Sequence, residues 1–92
     1  MRTTNLSGSC GTASQRLMVS NPKRLWLGIR NTHGSQNLYI GTQSPASATN
    51  CLNIIDPGGY FELTIQTPYE GPLYIAGSGA GTTFVGQEVS ND

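Results

Sequence analysis

Charge is scarce in this chain of 92 residues, with five Lys and Arg, five Asp and Glu, 11% charged residues in all and a formal net charge of zero. Lysine occurs once, at Lys23, next to Arg24, and there is no other basic cluster. Phosphate-backbone affinity comes from several cations acting together, so nucleic acid is not expected as a partner. Long-range electrostatic steering is not expected either. Long apolar runs are also missing. None exceeds four residues, too few for a membrane-spanning helix, and the stretch from Met1 to Gly8 lacks the apolar core of a signal peptide. Synthesis in the cytoplasm and no membrane partner are the expectations.

The ingredients of catalysis are equally thin. His33 is the single histidine and sits in a polar turn, Thr32-His33-Gly34-Ser35. As a general base it would need an orienting carboxylate, for which Asp56 is the candidate, and a nearby serine, and nothing in the spacing supports that triad. Asp56, Glu62, Glu70, Glu88 and Asp92 are scattered singly, without calcium-binding spacing. Gly77 to Gly81 is glycine-rich, but no Lys-Ser/Thr pair follows, so it reads as a hairpin loop rather than a phosphate loop. The expectation is a non-enzymatic protein with no catalytic residue, metal or cofactor. Cys10 and Cys51 have no second pair near them, which rules out zinc and thioredoxin-type motifs. Two reduced thiols or one disulfide between them are both compatible with the sequence.

What the chain has is period-two alternation. In the tract from Asn21 to Gly41, Leu25, Leu27 and Ile29 alternate with Arg24, Trp26, Gly28 and Arg30, and Leu38 and Ile40 flank Tyr39. This predicts a β-hairpin in which Arg30 pairs with Asn37, Ile29 with Leu38 and Leu27 with Ile40. The aliphatic face is then core, and Trp26, Tyr39, Arg24 and Arg30 form an outward patch. Further strands are expected at 15–20, 51–55, 60–66, 73–75 and 82–89, with Phe61, Leu63 and Ile65 facing inward. Asn21-Pro22, Asp56-Pro57-Gly58-Gly59 and the segment 67–72 punctuate them as turns. The long loop from Thr42 to Asn50 is predicted to be a binding loop or an extended arm. Residues 1–13, small and polar, read as an arm outside the core, leaving 14–92 as the folded domain.

About six to eight short strands with Gly and Pro between them predict an all-β fold, a small antiparallel β-sandwich or jelly-roll-like barrel with an extended N-terminal arm. Tyr60 and Tyr74 are expected to fill or cover the sandwich. Trp, Tyr and Arg are enriched at protein interfaces, so the interface candidates are Trp26, Tyr39 and Tyr69 with Arg24 and Arg30, joined by Arg2 and Leu6 of the arm. Exposed rings can also stack on sugars. A carbohydrate-binding module is therefore the rival expectation.

The order of motifs also resembles a known family. The run Asn-Pro-Lys-Arg-Leu-Trp-Leu-Gly-Ile-Arg-Asn, a polar turn, Asn-Leu-Tyr-Ile-Gly, then Asp-Pro-Gly-Gly-Tyr-Phe-Glu-Leu and Glu-Gly-Pro-Leu-Tyr-Ile-Ala-Gly is similar to small β-sandwich virion proteins of tailed bacteriophages. The resemblance spans roughly Asn21 to Val89 and lies more in the succession of motifs than in any one of them. It implies a capsid cement or decoration protein, a head fibre or a tail-associated module, located at the capsid surface; a head-tail connector subunit is a variant of that role, and in this setting the carbohydrate-binding rival would be a host-recognition module. It also implies a homo-oligomer, with a trimer favoured, whose partner is the major capsid protein or another virion protein, and a glycan as the rival ligand. It supplies no catalytic residue.

Overall fold

The computed structural model describes residues 1–64 and 69–91. Eight strands make up the fold: β1 (Arg2–Cys10), β2 (Gln15–Met18), β3 (Arg24–Asn31), β4 (Leu38–Gly41), β5 (Asn53–Ile55), β6 (Tyr60–Leu63), β7 (Leu73–Gly77) and β8 (Thr82–Ser90). They form two four-stranded antiparallel sheets, ordered β1-β8-β3-β6 and β2-β7-β4-β5. Strand β1 pairs with β8, β2 with β7, β3 with β6 and β4 with β5. This nesting is one long hairpin, with β4 and β5 at its tip, rolled into a sandwich. It is a jelly roll, the architecture that closes eight strands into two facing sheets.

The sequence-predicted hairpin is therefore corrected. Strands β3 and β4 lie in opposite sheets, and every chain connection except that from β4 to β5 crosses between the sheets. Leu27, Ile29, Leu38 and Ile40 are all fully buried, as alternation required, but Ile29 meets Leu38 and Ile40 across the sandwich rather than along one sheet, and Leu27 packs with Leu63 and Leu73 instead. The link between β3 and β4 is an arch organised by Asn31, which is wholly buried. Its Nδ2 donates to the carbonyls of Gln36 at 2.7 Å and Ile55 at 2.9 Å, and its Oδ1 accepts from the His33 amide at 2.9 Å. The loop 78–81 is likewise a crossover, not a hairpin. It is tied to the β3–β4 arch by Ser78, whose amide donates to the Asn37 carbonyl and whose hydroxyl accepts from the Asn37 amide.

Two apolar clusters fill the space between the sheets. Cys10, Ile29, Leu38, Ile40, Ile55, Ile75 and Phe84 form one, and Leu27, Leu63 and Leu73 the other. Phe61 and Leu63 point in while Tyr60 and Glu62 point out, as alternation predicts; Ile65 lies outside the described residues. The 56–59 turn forms where expected, with the Gly59 amide bonded to the Asp56 carbonyl and Gly58 at φ 76°, a conformation glycine adopts without steric cost. The loop after β4 is folded, not extended. Ala46 is buried, its amide donates to Ser14 Oγ at 2.8 Å, and Ser47 and Asn50 bridge each other.

Residues 2–10, expected as an arm outside the core, are an edge strand of the sandwich, paired residue for residue with β8 from Arg2 with Ser90 to Cys10 with Thr82. Most of its side chains remain exposed, which is why its composition reads as lying outside the core. Cys10 is buried in the core and Cys51 half-buried near Gly41, both as free thiols.

Candidate functional site

The outer face of the β1-β8-β3-β6 sheet carries a cleft of about 440 Å³. That is within the range of small-molecule sites, roughly 300–1,000 Å³. Its floor is Gly28 in β3, next to Gly86 in β8, whose backbones approach so closely that a Cβ on Gly86 would lie 2.4 Å from the Gly28 carbonyl oxygen. Over Gly28 two aromatic side chains converge. A Cβ at that position would meet Trp26 Cη2 and Tyr60 Oη, both at 2.4 Å. Only glycine leaves room for these rings to lie across the strand.

The rings share one carboxylate. Trp26 Nε1 donates to Glu62 Oε2 at 2.8 Å, and the same carboxylate lies close enough to the Tyr60 hydroxyl to act on its ionisation. Arg30 places its guanidinium 5.4 Å from the Tyr60 ring centre and donates to the Gly58 carbonyl at 3.2 Å. Partial desolvation raises the Tyr60 phenol above its ordinary pKa; the nearby Glu62 carboxylate adds to this, and Arg30 opposes it. Across the floor, Gln87 Nε2 donates to Asn5 Oδ1 at 3.0 Å, joining β8 to β1. Val85 supplies an exposed apolar rim.

The sequence-predicted patch is divided by the fold. Trp26 and Arg30 are together in the cleft, whereas Tyr39 lies on the outer face of the other sheet, opposite Ala76 and Ile54. Arg24 does not face outward at all. A bulge between Arg24 and Trp26 shifts the pairing with β8 by one residue, reversing the alternation at that end of the strand. Arg24 is consequently buried, with Nε 2.7 Å from Glu88 Oε2, Nη1 donating to the Tyr69 and Gly71 carbonyls at 2.8 and 3.1 Å, and Nη2 to the Val19 carbonyl at 3.1 Å. It is a latch inside the fold.

Tyr69 is also internal, packing on the Leu27–Leu63–Leu73 cluster and donating its hydroxyl to the Pro72 carbonyl at 2.8 Å. Leu6 is half-buried against the same cluster, and Arg2 is exposed near the end of the β1 edge. Tyr60, expected to fill or cover the fold, is instead 46% exposed and forms a wall of the cleft. Sequence reasoning overlooked Tyr60, Glu62, Asn5 and Gln87. The signal for the first two was present, since the alternation that puts Phe61 and Leu63 inward puts Tyr60 and Glu62 outward together. Asn5 and Gln87 carried none, because their partnership depends on pairing between the first strand and the last.

His33 has a structural task. Its Nδ1 accepts from the amides of Ser35 at 3.1 Å and Gln36 at 3.0 Å, the nitrogen an orienting carboxylate would need. Among the described residues no group of three His, Cys, Asp or Glu side chains could hold a metal ion, and no helix is long and apolar enough to cross a membrane. Comparison with known proteins gives no matching family model, curated protein or solved structure. The class defined by fold and site is thus a small jelly roll with a preformed aromatic cleft on one sheet face.

Proposed function

We propose that the protein is a non-enzymatic structural component of a tailed-bacteriophage virion, binding the capsid surface as a cement or decoration protein through the edge of β1. The observation that carries this reading is the state of that edge. Strand β1 runs for nine residues with a single charge, Arg2, no proline and no register irregularity against β8. Among the described residues no strand pairs with its outer side. Sheet proteins ordinarily blunt such edges with lysines, prolines, bulges or short strands. A long, regular, nearly uncharged edge suits addition of a strand from another chain, in which main-chain hydrogen bonds provide affinity and alternate side chains provide selectivity.

The resemblance of the motif order to small virion β-sandwiches supports this choice of assembly, and the low, balanced charge of the chain suits docking by shape and backbone pairing rather than by charge. Repetition over symmetric copies makes a modest contact strong in total, whether the neighbour is a shell subunit or a second copy in a trimer. Purified virions of the phage encoding the chain should contain it in many copies. The variant Thr3→Lys with Ser9→Lys, both exposed edge positions, should keep the wild-type melting temperature but fail to co-sediment with empty capsids. Absence from virions, or undiminished capsid binding by the double variant, would refute the proposal.

A further inference from the structure

The geometry points to a second activity that does not rest on the virion reading: the cleft over Gly28 binds a neutral saccharide, with a pyranose ring stacked on Trp26. Three features lead there. First, the platform is preorganised. Trp26 is bonded to Glu62, and Tyr60 packs beside it over Gly28 with the Arg30 guanidinium 5.4 Å from its ring centre, so the rings keep their positions without a ligand and little ordering entropy is lost on binding. The fold does not require this arrangement, since the core lies on the other face of the strand and Gly28 exists at the point where the rings need space.

Second, the charge in the cleft is balanced. One guanidinium, Arg30, and one carboxylate, Glu62, flank Tyr60, and the whole chain is neutral. Neither a phosphate nor a polyanion finds the cation cluster it would need. Third, the remaining hydrogen-bonding capacity is of both kinds. In the bond between Gln87 Nε2 and Asn5 Oδ1, the Asn5 amide nitrogen and the Gln87 carbonyl oxygen are left to serve a ligand, one as donor and one as acceptor. A sugar hydroxyl both donates and accepts, and the apolar face of its ring covers an indole. A polyproline stretch, another ligand that favours aromatic grooves, has carbonyl acceptors but no N–H donor and leaves the Gln87 oxygen unmet.

Trp26 is the only tryptophan, so its fluorescence reports on the cleft alone. Titration of the full chain with cello-, malto-, chito- and galacto-oligosaccharides should give, for at least one series, a saturable change in emission that is insensitive to salt. By calorimetry, Trp26→Ala should weaken that binding at least about tenfold, a difference of about 1.4 kcal/mol, and Tyr60→Ala and Gln87→Ala should weaken it in both assays. Tyr39→Ala, on the opposite sheet, should bind as wild type. Should Trp26→Ala fail to fold, Tyr60→Ala and Gln87→Ala decide the matter. No saturable binding to any series, binding untouched by the cleft variants, or saturation by a proline-rich peptide instead would overturn the inference. None of these results bears on capsid binding through β1.

Discussion

Replacing Arg24 with methionine keeps most of the buried stem and removes the charge, and it should be among the most damaging single substitutions in this protein. The guanidinium makes four hydrogen bonds that join three separate segments: Glu88 of β8, the carbonyls of Tyr69 and Gly71, and that of Val19 beyond β2. The side chains of Arg24 and Glu88 are only 2% and 13% exposed, so water can do little to replace a lost partner. Removing one member of a buried ion pair costs about 3–5 kcal/mol, a large share of the roughly 5–15 kcal/mol that holds a domain folded. At about 4–8 °C per kcal/mol for a domain of this size, the melting temperature should fall by at least about 12 °C. The double variant Arg24→Met with Glu88→Met removes both charges and should recover much of the loss, because a pair replaced by apolar groups is often close to neutral. Calorimetric melts of the wild type, the two single variants and the double variant complete the cycle. An Arg24→Met protein melting within about 3 °C of wild type would show that the latch contributes little.

Other outcomes follow from the same geometry. Asn31→Asp would aim a carboxylate at the Gln36 and Ile55 carbonyls that Nδ2 now serves, and denaturant titration should show a loss above about 3 kcal/mol; a loss under about 1 kcal/mol would contradict the arch described here. Native protein should take up one equivalent of iodoacetamide, at the half-buried Cys51, while Cys10, buried and with its thiol raised in pKa by desolvation, reacts only on unfolding; two equivalents in the native state would disprove its burial. Ultraviolet titration should show a tyrosine ionising above the ordinary tyrosine pKa, and Tyr60→Phe should remove it. Because that phenol is raised in the folded state, its contribution to stability is complete below the ordinary tyrosine pKa and is lost as pH rises through the higher folded value; a late titration that survives in Tyr60→Phe would assign it elsewhere.

How far the sequence could be read depended on the range of the contact involved. Alternation placed Leu27, Ile29, Leu38, Ile40, Phe61 and Leu63 in the core correctly, because side-chain direction is a local property of a strand. Pairing is not local, and here the error was the assumption that β3 and β4 pair because they are neighbours in sequence. In a nested roll the partners of β3 are β6 and β8, and the six-residue stretch of polar side chains after Asn31 makes an arch. The Arg24 error has another cause, a single bulge that inverts a face and that composition does not announce. Trp26 and Arg30 were legible as a surface pair, whereas the cleft required Gly28 to be seen as space for two rings and Asn5 to be placed beside Gln87.

The nesting of β1 with β8 around the other strands also implies an order in time. Closing a loop costs an entropy that grows with the logarithm of its length, so the β4–β5 tip is the cheapest pair to form and each formed pair shortens the loop that the next must close. The roll then zips outward through β3–β6 and β2–β7, and β1 arrives last, joining Arg2 to Ser90 from opposite ends of the described chain. Such non-local pairing places the chain among slow folders, on the scale of milliseconds to seconds. Until β1 docks, the edge of β8 stands open, and a neighbouring chain that supplied a strand during that interval would be exchanged into the roll rather than added to its side.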